Sequence, residues 1–318
     1  MTTVLVVAQP DDSALGMLDP PPAGSHLVFG RHPDDFAAAA SEAEVLLSCS
    51  AGRDVLRSLF RAAPRLRWMH VLSAGVDNVL FPELVDGPVP LTNGRGAFSA
   101  TLSEWVIAAV LFFAKDLRRL LRDQAARRWD PFDVEAVQGR TLGIVGYGDI
   151  GRAIAERLRG LGMEVLGVRR RAAAPDALGT TIVGAGQLAQ VLSRSDYVVV
   201  AAPLTPETRG LIGPAAFEAM KPTAVFINVG RGPVVDEAAL VDALRAGRIR
   251  GAALDVFEHE PLPPDSPFYA LENVLLSPHC ADHTAGWREV SMRLFLENLA
   301  RFRAGEPLRN VVDKRRGY

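Results

Sequence analysis

The sequence has 318 residues, 48% of them hydrophobic and 23% charged, with a formal net charge of −2. This length is enough for two domains, because a single hydrophobic core stops growing at about 250 to 300 residues. The charge balance argues against nucleic-acid binding, and no apolar run approaches the roughly 18 residues that span a bilayer. The two cysteines lie far apart and form no metal-ligand spacing. We therefore expect a reduced, cytoplasmic protein that binds no metal, membrane or nucleic acid.

Residues 1 to about 97 alternate short apolar runs with helix-like segments. The apolar runs predict strands at Val4–Ala8, Val45–Ser48, Leu66–Leu72 and Val89–Thr92. The helix-like segments between them include Asp34–Ala43 and Arg53–Ala62. Alternation of this kind is typical of an α/β domain built around a parallel sheet.

A more continuous apolar segment follows. Thr101 and Glu104 have the spacing of a capping box, in which each side chain satisfies a free backbone N–H at a helix start. The stretch Trp105–Leu121 is apolar on nearly all sides, and a helix of that kind is expected to be buried. We expect it to lie between domains or between subunits.

A second α/β series begins near residue 140. Its predicted strands are Thr141–Gly146, Glu164–Val168, Tyr197–Ala202, Ala224–Val229, Gly251–Val256 and Val274–Leu276. Helix-like segments separate these strands, and an amphipathic stretch at Glu289–Arg303 predicts a closing helix. The two series together indicate an α/β protein with two parallel sheets.

The first strand of the second series runs into a Gly-x-Gly-x-x-Gly motif. Gly146 would permit the tight turn, Gly148 would let a pyrophosphate approach the backbone, and Gly151 would let the next helix pack close to the strand. A helix pattern at Arg152–Arg159 follows, so the helix N-terminus would carry N–H groups for the phosphates. In this strand–turn–helix context the motif predicts a dinucleotide site.

The next strand indicates which dinucleotide is bound. An acidic residue at its end would favour NAD, but here the strand runs into Arg169 and Arg170. Guanidinium groups bind phosphate by charge-assisted hydrogen bonds, and a carboxylate would repel it. We therefore expect a preference for NADP(H) carried by Arg169 or Arg170. NAD(H) remains the alternative if these arginines form only a solvated basic loop.

Three further segments follow apolar strands and carry side chains suited to acid–base chemistry. Arg231, Glu260 and His279 come after the last three strands of the second series. Ligands of doubly wound sheets bind at the carboxyl ends of the strands, so we expect the three side chains to share one edge. This combination fits reduction of a 2-oxo acid, whose carbonyl oxygen takes up a proton.

Each residue has an expected role in that reaction. His279 suits proton transfer because the pKa of histidine lies near neutral pH. Glu260, hydrogen-bonded to the other ring nitrogen, would favour the imidazolium and fix the ring. Arg231 would bind the substrate carboxylate and polarise the carbonyl.

Residues from about 70 to 284 resemble the D-2-hydroxyacid dehydrogenase family, most closely its glyoxylate/hydroxypyruvate reductase-like members. The matching motifs are Ser73–Asp77, Gly146–Gly151, Ala202–Thr208, Asn228–Gly232, Asp255–Leu262 and Ser277–His279. The resemblance implies two Rossmann-like, doubly wound parallel-sheet domains. The cofactor domain, residues 98–284, would be inserted into a discontinuous flavodoxin-like substrate domain formed by residues 1–97 and 285–318.

The resemblance also implies functions for individual residues and D stereochemistry for the 2-hydroxy acid. The backbone N–H groups of Ala74 and Gly75 would bind the substrate carboxylate, and Asp255 would contact the nicotinamide carboxamide. The helix that begins near Thr101 would form the contact of a homodimer. The other implied cofactor contacts are Asp149, Ile150, Pro203, Thr208, Val229 and Gly230.

The sequence departs from the family pattern directly after His279. Family members usually have an aliphatic residue followed by Ala-Gly there, whereas this chain has Cys280 and Ala281 followed by Asp282 and His283. We expect Cys280 to pack as a small apolar side chain. His283 and His259 are expected to be polar loop residues, either of which could meet an anionic group of the substrate.

Proteins with two other functions have the fold that the resemblance implies. A cofactor-sensing corepressor would bind the dinucleotide without turnover, and a phosphite dehydrogenase-like enzyme would keep a similar Arg–Glu–His set. Formate dehydrogenase-like members have Gln at the position of Glu260, so Glu260 argues against that reaction. Reduction of a 2-oxo acid is the function we expect, with the other two as alternatives.

Overall fold

The computed structural model describes all 318 residues, which form two compact units. Unit 1 contains Met1–Phe98 and Thr284–Tyr318, and unit 2 contains Ser99–His283. Unit 1 is therefore discontinuous in sequence, and unit 2 is inserted into it. No helix of the protein is both long and apolar enough to cross a membrane.

The first 98 residues of unit 1 alternate strands with helices. The strands are β1 (Thr2–Val7), β2 (Ser25–Gly30), β3 (Val45–Ser48), β4 (Trp68–Val71) and β5 (Leu91–Asn93). The helices in this part are α1 (Arg53–Ala62) and α2 (Pro82–Asp86). Short 3₁₀ helices at Ser13–Leu18, Pro33–Phe36 and Ala40–Glu42 complete the connections.

Unit 2 begins with two consecutive helices, α3 (Ser99–Ala114) and α4 (Leu117–Ala125). Its strands are β6 (Thr141–Val145), β7 (Glu164–Arg169), β8 (Thr181–Gly184), β9 (Tyr197–Val200), β10 (Val225–Asn228), β11 (Gly251–Leu254) and β12 (Val274–Leu276). The helices between them are α5 (Asp149–Gly160), α6 (Leu188–Arg194), α7 (Pro214–Ala219) and α8 (Glu237–Arg245). The chain then returns to unit 1 as α9 (Trp287–Ala304).

Both sheets are entirely parallel. The sheet of unit 1 has the order β2-β1-β3-β4-β5, which is the flavodoxin-like order. The sheet of unit 2 has the order β12-β11-β10-β9-β6-β7-β8, a Rossmann-type order extended by one strand. The predicted fold class, two doubly wound parallel-sheet domains, is confirmed.

Strands β3, β4 and β5 of unit 1 are buried at every residue, as is typical of a parallel sheet that is covered on both faces. Alternate residues of a strand point to opposite faces. Accordingly Leu5 belongs to the apolar cluster on one face, while Val4 and Trp68 belong to the cluster on the other. Phe295 of α9 joins this second cluster and stacks on Trp68, with ring centroids 5.4 Å apart. The C-terminal segment thus completes the core of unit 1.

Several predicted elements differ from the structure. The strands β2 and β8 were not predicted; each is an outer strand of its sheet, and its side chains are only partly buried. The predicted helix over Asp34–Ala43 is instead two short 3₁₀ helices. The carboxylate of Asp35 accepts hydrogen bonds from the N–H groups of Arg31 and His32, which favours this tight local turn.

The predicted capping box and the single long helix after it are wrong. The helix α3 begins at Ser99, so Thr101 lies inside its first turn. Asp116 adopts a left-handed conformation, with φ 46°, and its side chain accepts a hydrogen bond from the N–H of Arg119, so a new helix starts there. One face of α3 is buried within unit 2, whereas Trp105, Leu111 and others are only partly buried.

A buried histidine in unit 1 gives the fold a pH dependence. His70 is fully buried, and its Nδ1 lies 2.7 Å from the Oγ1 of Thr92, which also accepts the indole N–H of Trp68. Its Nε2 has no hydrogen-bond partner. Burial lowers the pKa of His70 from 6.5 to about 3, because a charged ring would lose its hydration there.

We expect His70 to lower the stability of the protein at acidic pH. Between pH 6.5 and 3 the unfolded chain binds a proton at His70 that the folded protein does not, so stability falls as the pH falls. Between pH 7.5 and 5.0 this amounts to about 2 kcal/mol. Urea unfolding at both pH values measures it, and His70→Asn should show a smaller loss than the unmodified protein. Equal losses in the two proteins would contradict the expectation.

Candidate active site

The carboxyl ends of the unit 2 strands carry most of the predicted functional residues. All seven strands are parallel, so the loops that follow them emerge at the same edge of the sheet. The glycine motif follows β6, and Arg170 follows β7. Arg231, Asp255 and His279 follow β10, β11 and β12. Residues that are distant in sequence are therefore gathered at one edge.

The glycine motif has the geometry that each glycine was expected to provide. Gly146 has φ +93°, and a Cβ there would lie 2.4 Å from the backbone nitrogen of Ala202. A Cβ on Gly151 would lie 2.9 Å from the carbonyl oxygen of Gly146, so the start of α5 packs directly on the strand end. No atom lies within 4 Å of the Cβ position of Gly148. The open space beside Gly148, at the N-terminus of α5, fits the pyrophosphate of a dinucleotide.

The strand β7 ends in a basic turn. The basic turn is Arg169–Arg171, and Arg169 is also the last residue of β7. Arg169 and Arg170 are both exposed. The turn therefore presents guanidinium groups at the position where an acidic residue would contact the ribose of NAD. These residues fit a dinucleotide that carries an additional phosphate.

The loop after β9 is folded by one of the predicted cofactor residues. The hydroxyl of Thr208 donates a hydrogen bond to the carbonyl of Pro203 at 2.7 Å and accepts one from the N–H of Thr205 at 2.8 Å. These bonds fix the shape of the loop. The same loop lies beside the glycine motif, because the backbone of its residue Ala202 is close to Gly146. Whether Pro203 and Thr208 also contact the cofactor stays a prediction.

Asn228, the last residue of β10, positions the loop that carries Arg231. Its buried side chain accepts a hydrogen bond from the N–H of Gly230 at 3.0 Å and donates one to the carbonyl of Arg231 at 3.2 Å. Arg231 Nη1 also donates to the carbonyl of Gly230. A Cβ on Gly232 would lie 1.9 Å from the carbonyl carbon of Phe257, so only glycine lets this loop meet the loop after β11.

Glu260 and His279 form a direct pair. Glu260 Oε2 lies 2.6 Å from His279 Nδ1, and its other oxygen accepts a hydrogen bond from the N–H of Phe257 at 2.9 Å. Because both carboxylate oxygens are engaged, the orientation of Glu260 is fixed, and Glu260 in turn orients the imidazole. Nδ1 is occupied by this contact, which leaves Nε2 as the ring nitrogen for proton exchange with a ligand.

The pair shifts the pKa values of both members in opposite directions. The hydrogen bond to Glu260 raises the pKa of His279, against the opposing effects of burial and of the charge on Arg231. Burial alone would raise the pKa of Glu260, but the hydrogen bonds from His279 and Phe257 outweigh it and the net pKa is lowered. The pair therefore favours an imidazolium next to a carboxylate, which is a poised proton donor.

Asp255 holds the segment that carries His279. Its buried Oδ1 accepts hydrogen bonds from the hydroxyl of Ser277 at 2.6 Å and from the N–H groups of Cys280 and Ala281 at 2.9 and 3.0 Å. The N–H of His279 donates to the backbone carbonyl of Asp255. His279 has φ +51°, an uncommon conformation for a residue other than glycine, and these four bonds maintain it.

Unit 1 contains the two residues expected to bind a carboxylate through their N–H groups. Ala74 and Gly75 follow β4, in the loop after its carboxyl end. The carbonyl of Gly75 accepts a hydrogen bond from the hydroxyl of Ser73 at 2.8 Å, and the carbonyl of Ala74 accepts one from the side chain of Asn93 at 2.5 Å. Both carbonyls are thus held by neighbouring side chains, which fixes the direction of this peptide segment.

The expectation for Cys280 is wrong. Its side chain is exposed, and its sulfur lies 3.5 Å from the hydroxyl of Ser277. Cys280 therefore does not pack in the core. Three residues farther on, His283 is exposed, with Nε2 3.8 Å from Oδ1 of Asp282. No group of three or more His, Cys, Asp or Glu side chains is placed to hold a metal ion.

Comparison with known proteins identifies the family. The family model described as D-isomer specific 2-hydroxyacid dehydrogenase, NAD binding domain, matches residues 107–281, more than half of the chain. The chain belongs to the D-isomer specific 2-hydroxyacid dehydrogenase family. The resemblance inferred from the motifs is therefore confirmed.

Two similar relatives are named as reductases. The chain is 38% identical over 265 residues to a glyoxylate reductase of Korarchaeum cryptofilum, covering 80% of this chain and 79% of that protein. It is 38% identical over 292 residues to a glyoxylate/hydroxypyruvate reductase B of Enterobacter sp. (strain 638), covering 89% and 87%.

Solved structures of the family are similar over the whole chain. A D-isomer specific 2-hydroxyacid dehydrogenase from Xanthobacter autotrophicus Py2, in complex with NADPH and MES, superimposes with a TM-score of 0.85 at 36% identity, covering 100% of both chains. An NADPH-dependent glyoxylate/hydroxypyruvate reductase from Sinorhizobium meliloti, in complex with NADP and sulfate, gives a TM-score of 0.88 at 29% identity, also covering 100% of both chains.

Four residues with positioning contacts were assigned no individual role from the sequence. Asn228, Gly232 and Ser277 position the loops of Arg231 and His279, and Tyr147 donates a hydrogen bond to Asp176 beyond the basic turn. The first three lie inside recognisable motifs, so their positions at strand ends are a usable signal. The partner of Tyr147 lies 29 residues away in an irregular loop, and no sequence spacing indicates that contact.

Proposed function

We propose that this protein reduces a 2-oxo acid to a D-2-hydroxy acid with NADPH. The observation that carries the proposal is the Glu260–His279 pair, at 2.6 Å, which shares a sheet edge with the glycine motif. A dinucleotide site alone would suit many functions. A carboxylate-supported histidine at the same edge supports proton transfer coupled to hydride transfer.

His279 is the proposed proton donor. Glu260 binds Nδ1 and raises the pKa of the imidazole, which favours the imidazolium form with a proton on Nε2. His279 gives this proton to the substrate carbonyl oxygen as that atom gains negative charge. In the reverse direction the neutral imidazole accepts the proton of the hydroxyl group, and Glu260 stabilises the charged ring that results.

Arg231 and the loop after β4 are the proposed ligands of the substrate carboxylate. The guanidinium of Arg231 binds an anion by charge-assisted hydrogen bonds and polarises the neighbouring carbonyl. The N–H groups of Ala74 and Gly75 supply further donors, in a peptide segment that Ser73 and Asn93 hold in place. We infer that unit 1 contributes to acid binding and that unit 2 binds the dinucleotide.

The proposed cofactor contacts are distributed over the loops of unit 2. Gly146, Gly148 and Gly151 form the pyrophosphate cradle with the first turn of α5, at Asp149 and Ile150. Asp255 is the proposed acceptor for the nicotinamide carboxamide. When bound, the reduced nicotinamide supplies the hydride for the carbonyl carbon. The remaining proposed contacts are Pro203, Thr208, Val229, Gly230, Arg169 and Arg170.

Glyoxylate and hydroxypyruvate are the proposed substrates, because relatives at 38% identity carry the names of reductases of these acids. Neither phosphite oxidation nor corepressor function is favoured by these relatives. The test follows NADPH absorbance with glyoxylate, hydroxypyruvate, pyruvate and phenylpyruvate. Turnover with one of the first two supports the proposal, and turnover with phenylpyruvate alone would contradict the substrate class. Tight NADPH binding without any turnover would instead support the corepressor alternative.

We expect NADPH to bind more tightly than NADH because of the basic turn after β7. Replacing Arg169 and Arg170 together by serine removes the charges available to the 2′-phosphate, and a charge-assisted hydrogen bond is worth about 1.5 to 3 kcal/mol. The Kd of NADPH should therefore rise at least tenfold, while that of NADH changes little. Titration of reduced-nicotinamide fluorescence measures both constants. Arg315→Ala, which removes one exposed charge in unit 1, is the control.

The control should leave both dissociation constants unchanged. An equal increase for NADPH and NADH in the double variant would show that the arginines act on the common part of the cofactor. In that case the proposed selectivity would be wrong.

A homodimer is the proposed assembly. Large apolar side chains of one segment are exposed on the monomer: Leu117, Leu120, Leu121, Trp129 and Val134 are 37%, 46%, 63%, 95% and 50% exposed. A cluster of this kind is typical of a protein–protein interface. We propose that the dimer contact expected at α3 continues through α4 to residue 134.

The dimer proposal is tested by sedimentation velocity. The unmodified protein should sediment as a dimer, and Leu121→Asp with Trp129→Ser should sediment as a monomer. Phe29→Ser, which removes an exposed aromatic side chain of β2 in unit 1, should remain dimeric. A monomeric unmodified protein at micromolar concentration would overturn the proposal.

A cytoplasmic location completes the proposal. Both cysteines, Cys49 and Cys280, are free thiols. Thiols persist in reducing compartments, where NADPH is also available as a reductant.

A further inference from the structure

The residue between the first two glycines of the cofactor motif makes an unexpected long-range contact. The hydroxyl of Tyr147 donates a hydrogen bond to Oδ2 of Asp176 at 2.6 Å and lies 3.0 Å from the hydroxyl of Thr180. Tyr147 is only 5% exposed, and Thr180 is fully buried. The contact therefore connects the proposed pyrophosphate loop with the loop between β7 and β8.

Asp176 also folds the loop in which it lies. Its Oδ1 accepts hydrogen bonds from the N–H groups of Leu178 and Thr180, each at 3.0 Å. The carboxylate thus has at least three donors, two from its own loop and one from Tyr147. Burial raises the pKa of Tyr147 to about 12, so its hydroxyl stays a donor at neutral pH. Burial alone would raise the pKa of Asp176, but its hydrogen bonds lower it, so the acceptor stays ionised.

The ring of Tyr147 packs against β7 at Gly167. A Cβ on Gly167 would lie 2.8 Å from the ring, so a glycine at this strand position is needed for the tyrosine to pack there. The backbone N–H of Tyr147 donates to the carbonyl of Val168 at 3.0 Å. Tyr147 is thus attached to β7 just before Arg169.

The basic turn lies between these two attachments. Val168 precedes it in β7, and the loop around Asp176 follows it. The N–H of Ala173 also donates to the carbonyl of Ile182 in β8 at 3.3 Å. Arg169, Arg170 and Arg171 are therefore carried by a short span of chain whose two ends are both fixed.

We propose that Tyr147 and Asp176 are positioning residues that set the preference for NADPH by holding the turn Arg169–Arg171. The inference rests on the proposed function, because it assigns to this turn the binding of the 2′-phosphate. The hydroxyl of Tyr147 couples the loop for the pyrophosphate to the loop for the 2′-phosphate, so both phosphate sites are held at a fixed separation. NADH has the pyrophosphate but lacks the 2′-phosphate, so its binding does not depend on this coupling.

The test compares Tyr147→Phe with the unmodified protein. The substitution removes only the hydroxyl, and the Kd of NADPH should rise about fivefold while that of NADH stays within about twofold. Fluorescence titration of reduced nicotinamide measures both constants, and in steady-state kinetics the KM of NADPH should rise by a larger factor than kcat falls. In the cofactor-free protein, the amides of Leu178 and Thr180 should exchange with deuterium faster. Tyr197→Phe is the matched control, because the buried hydroxyl of Tyr197 has no hydrogen-bond partner.

The Asp176→Asn variant distinguishes a positioning role of Asp176 from a direct effect of its negative charge on the 2′-phosphate. If the carboxylate of Asp176 only repelled the 2′-phosphate, its removal would tighten NADPH binding. If Asp176 positions the turn, NADPH binding weakens although a negative charge has been removed. Tighter NADPH binding in this variant would overturn the inference.

The remaining outcomes distinguish the inference from the proposed function. If the unmodified protein prefers NADPH and the Tyr147→Phe variant keeps the full preference, the positioning role is wrong. The proposed function would then stand. Unmodified protein that reduces 2-oxo acids equally well with NADH would overturn the proposed cofactor selectivity, and the positioning role with it.

Discussion

Replacing His279 by alanine is expected to lower kcat for 2-oxo acid reduction by about 10² to 10⁴. The imidazole is the only proposed donor for the proton that the carbonyl oxygen takes up, and its Nδ1 is already bound to Glu260 at 2.6 Å. Steady-state NADPH oxidation with the best substrate measures the loss. The Kd of NADPH should change little, because no proposed contact to the phosphates involves His279.

The control for this substitution is His26→Ala, which removes an exposed imidazole from β2 and should leave kcat unchanged. Asp255 and its hydrogen bonds remain in the His279→Ala variant, so the loop should keep its backbone conformation. A loss of less than about tenfold would contradict the role of His279 as proton donor.

Replacing Glu260 by glutamine is expected to lower kcat and to displace its pH dependence. Glu260 is the first cause of the raised pKa of His279, so the variant should have a lower histidine pKa. Reduction requires the protonated ring, and its rate falls as the pH rises through that pKa. The alkaline limb of the pH profile should therefore move to lower pH. A hydrogen bond to a charged group is worth about 1.5 to 3 kcal/mol, which corresponds to a loss of about 10- to 100-fold in kcat.

Oxidation of the 2-hydroxy acid provides a second test that the pKa of His279 falls in Glu260→Gln. That direction requires the neutral ring, so its rate rises with pH, and in Glu260→Gln the rise should also begin at lower pH. Glu272→Gln, in an exposed position before β12, serves as the control and should keep both profiles. A variant with reduced kcat but an unchanged limb would show that Glu260 orients the ring without setting its pKa.

The buried strands and the strand-end residues of unit 2 were predictable because each lies in a strong local pattern. The inner strand β10 is buried at all four residues, and its apolar run is evident in the sequence. The outer strands β2 and β8 were missed because partly exposed side chains leave no continuous apolar run. Arg231, Glu260 and His279 could be placed at one edge because the carboxyl ends of parallel strands share it.

The contacts that position these side chains could not be predicted in the same way. Asp255 accepts bonds from Ser277, Cys280 and Ala281 because β11 and β12 are neighbours with a particular register. Cys280 lies in the loop after β12 and is exposed, although cysteine is usually buried. The contact of Tyr147 with Asp176 depends on how the loop before β8 folds back, and loop conformation follows from such tertiary bonds.

The most direct test of the proposed reaction analyses its product. Hydroxypyruvate is incubated with limiting NADPH and the protein, and the glycerate formed is quantified and its configuration determined with a chiral column. The account predicts one D-glycerate for each NADPH consumed. Formation of the L-isomer, or NADPH that binds tightly but is not consumed with any 2-oxo acid, would contradict the account.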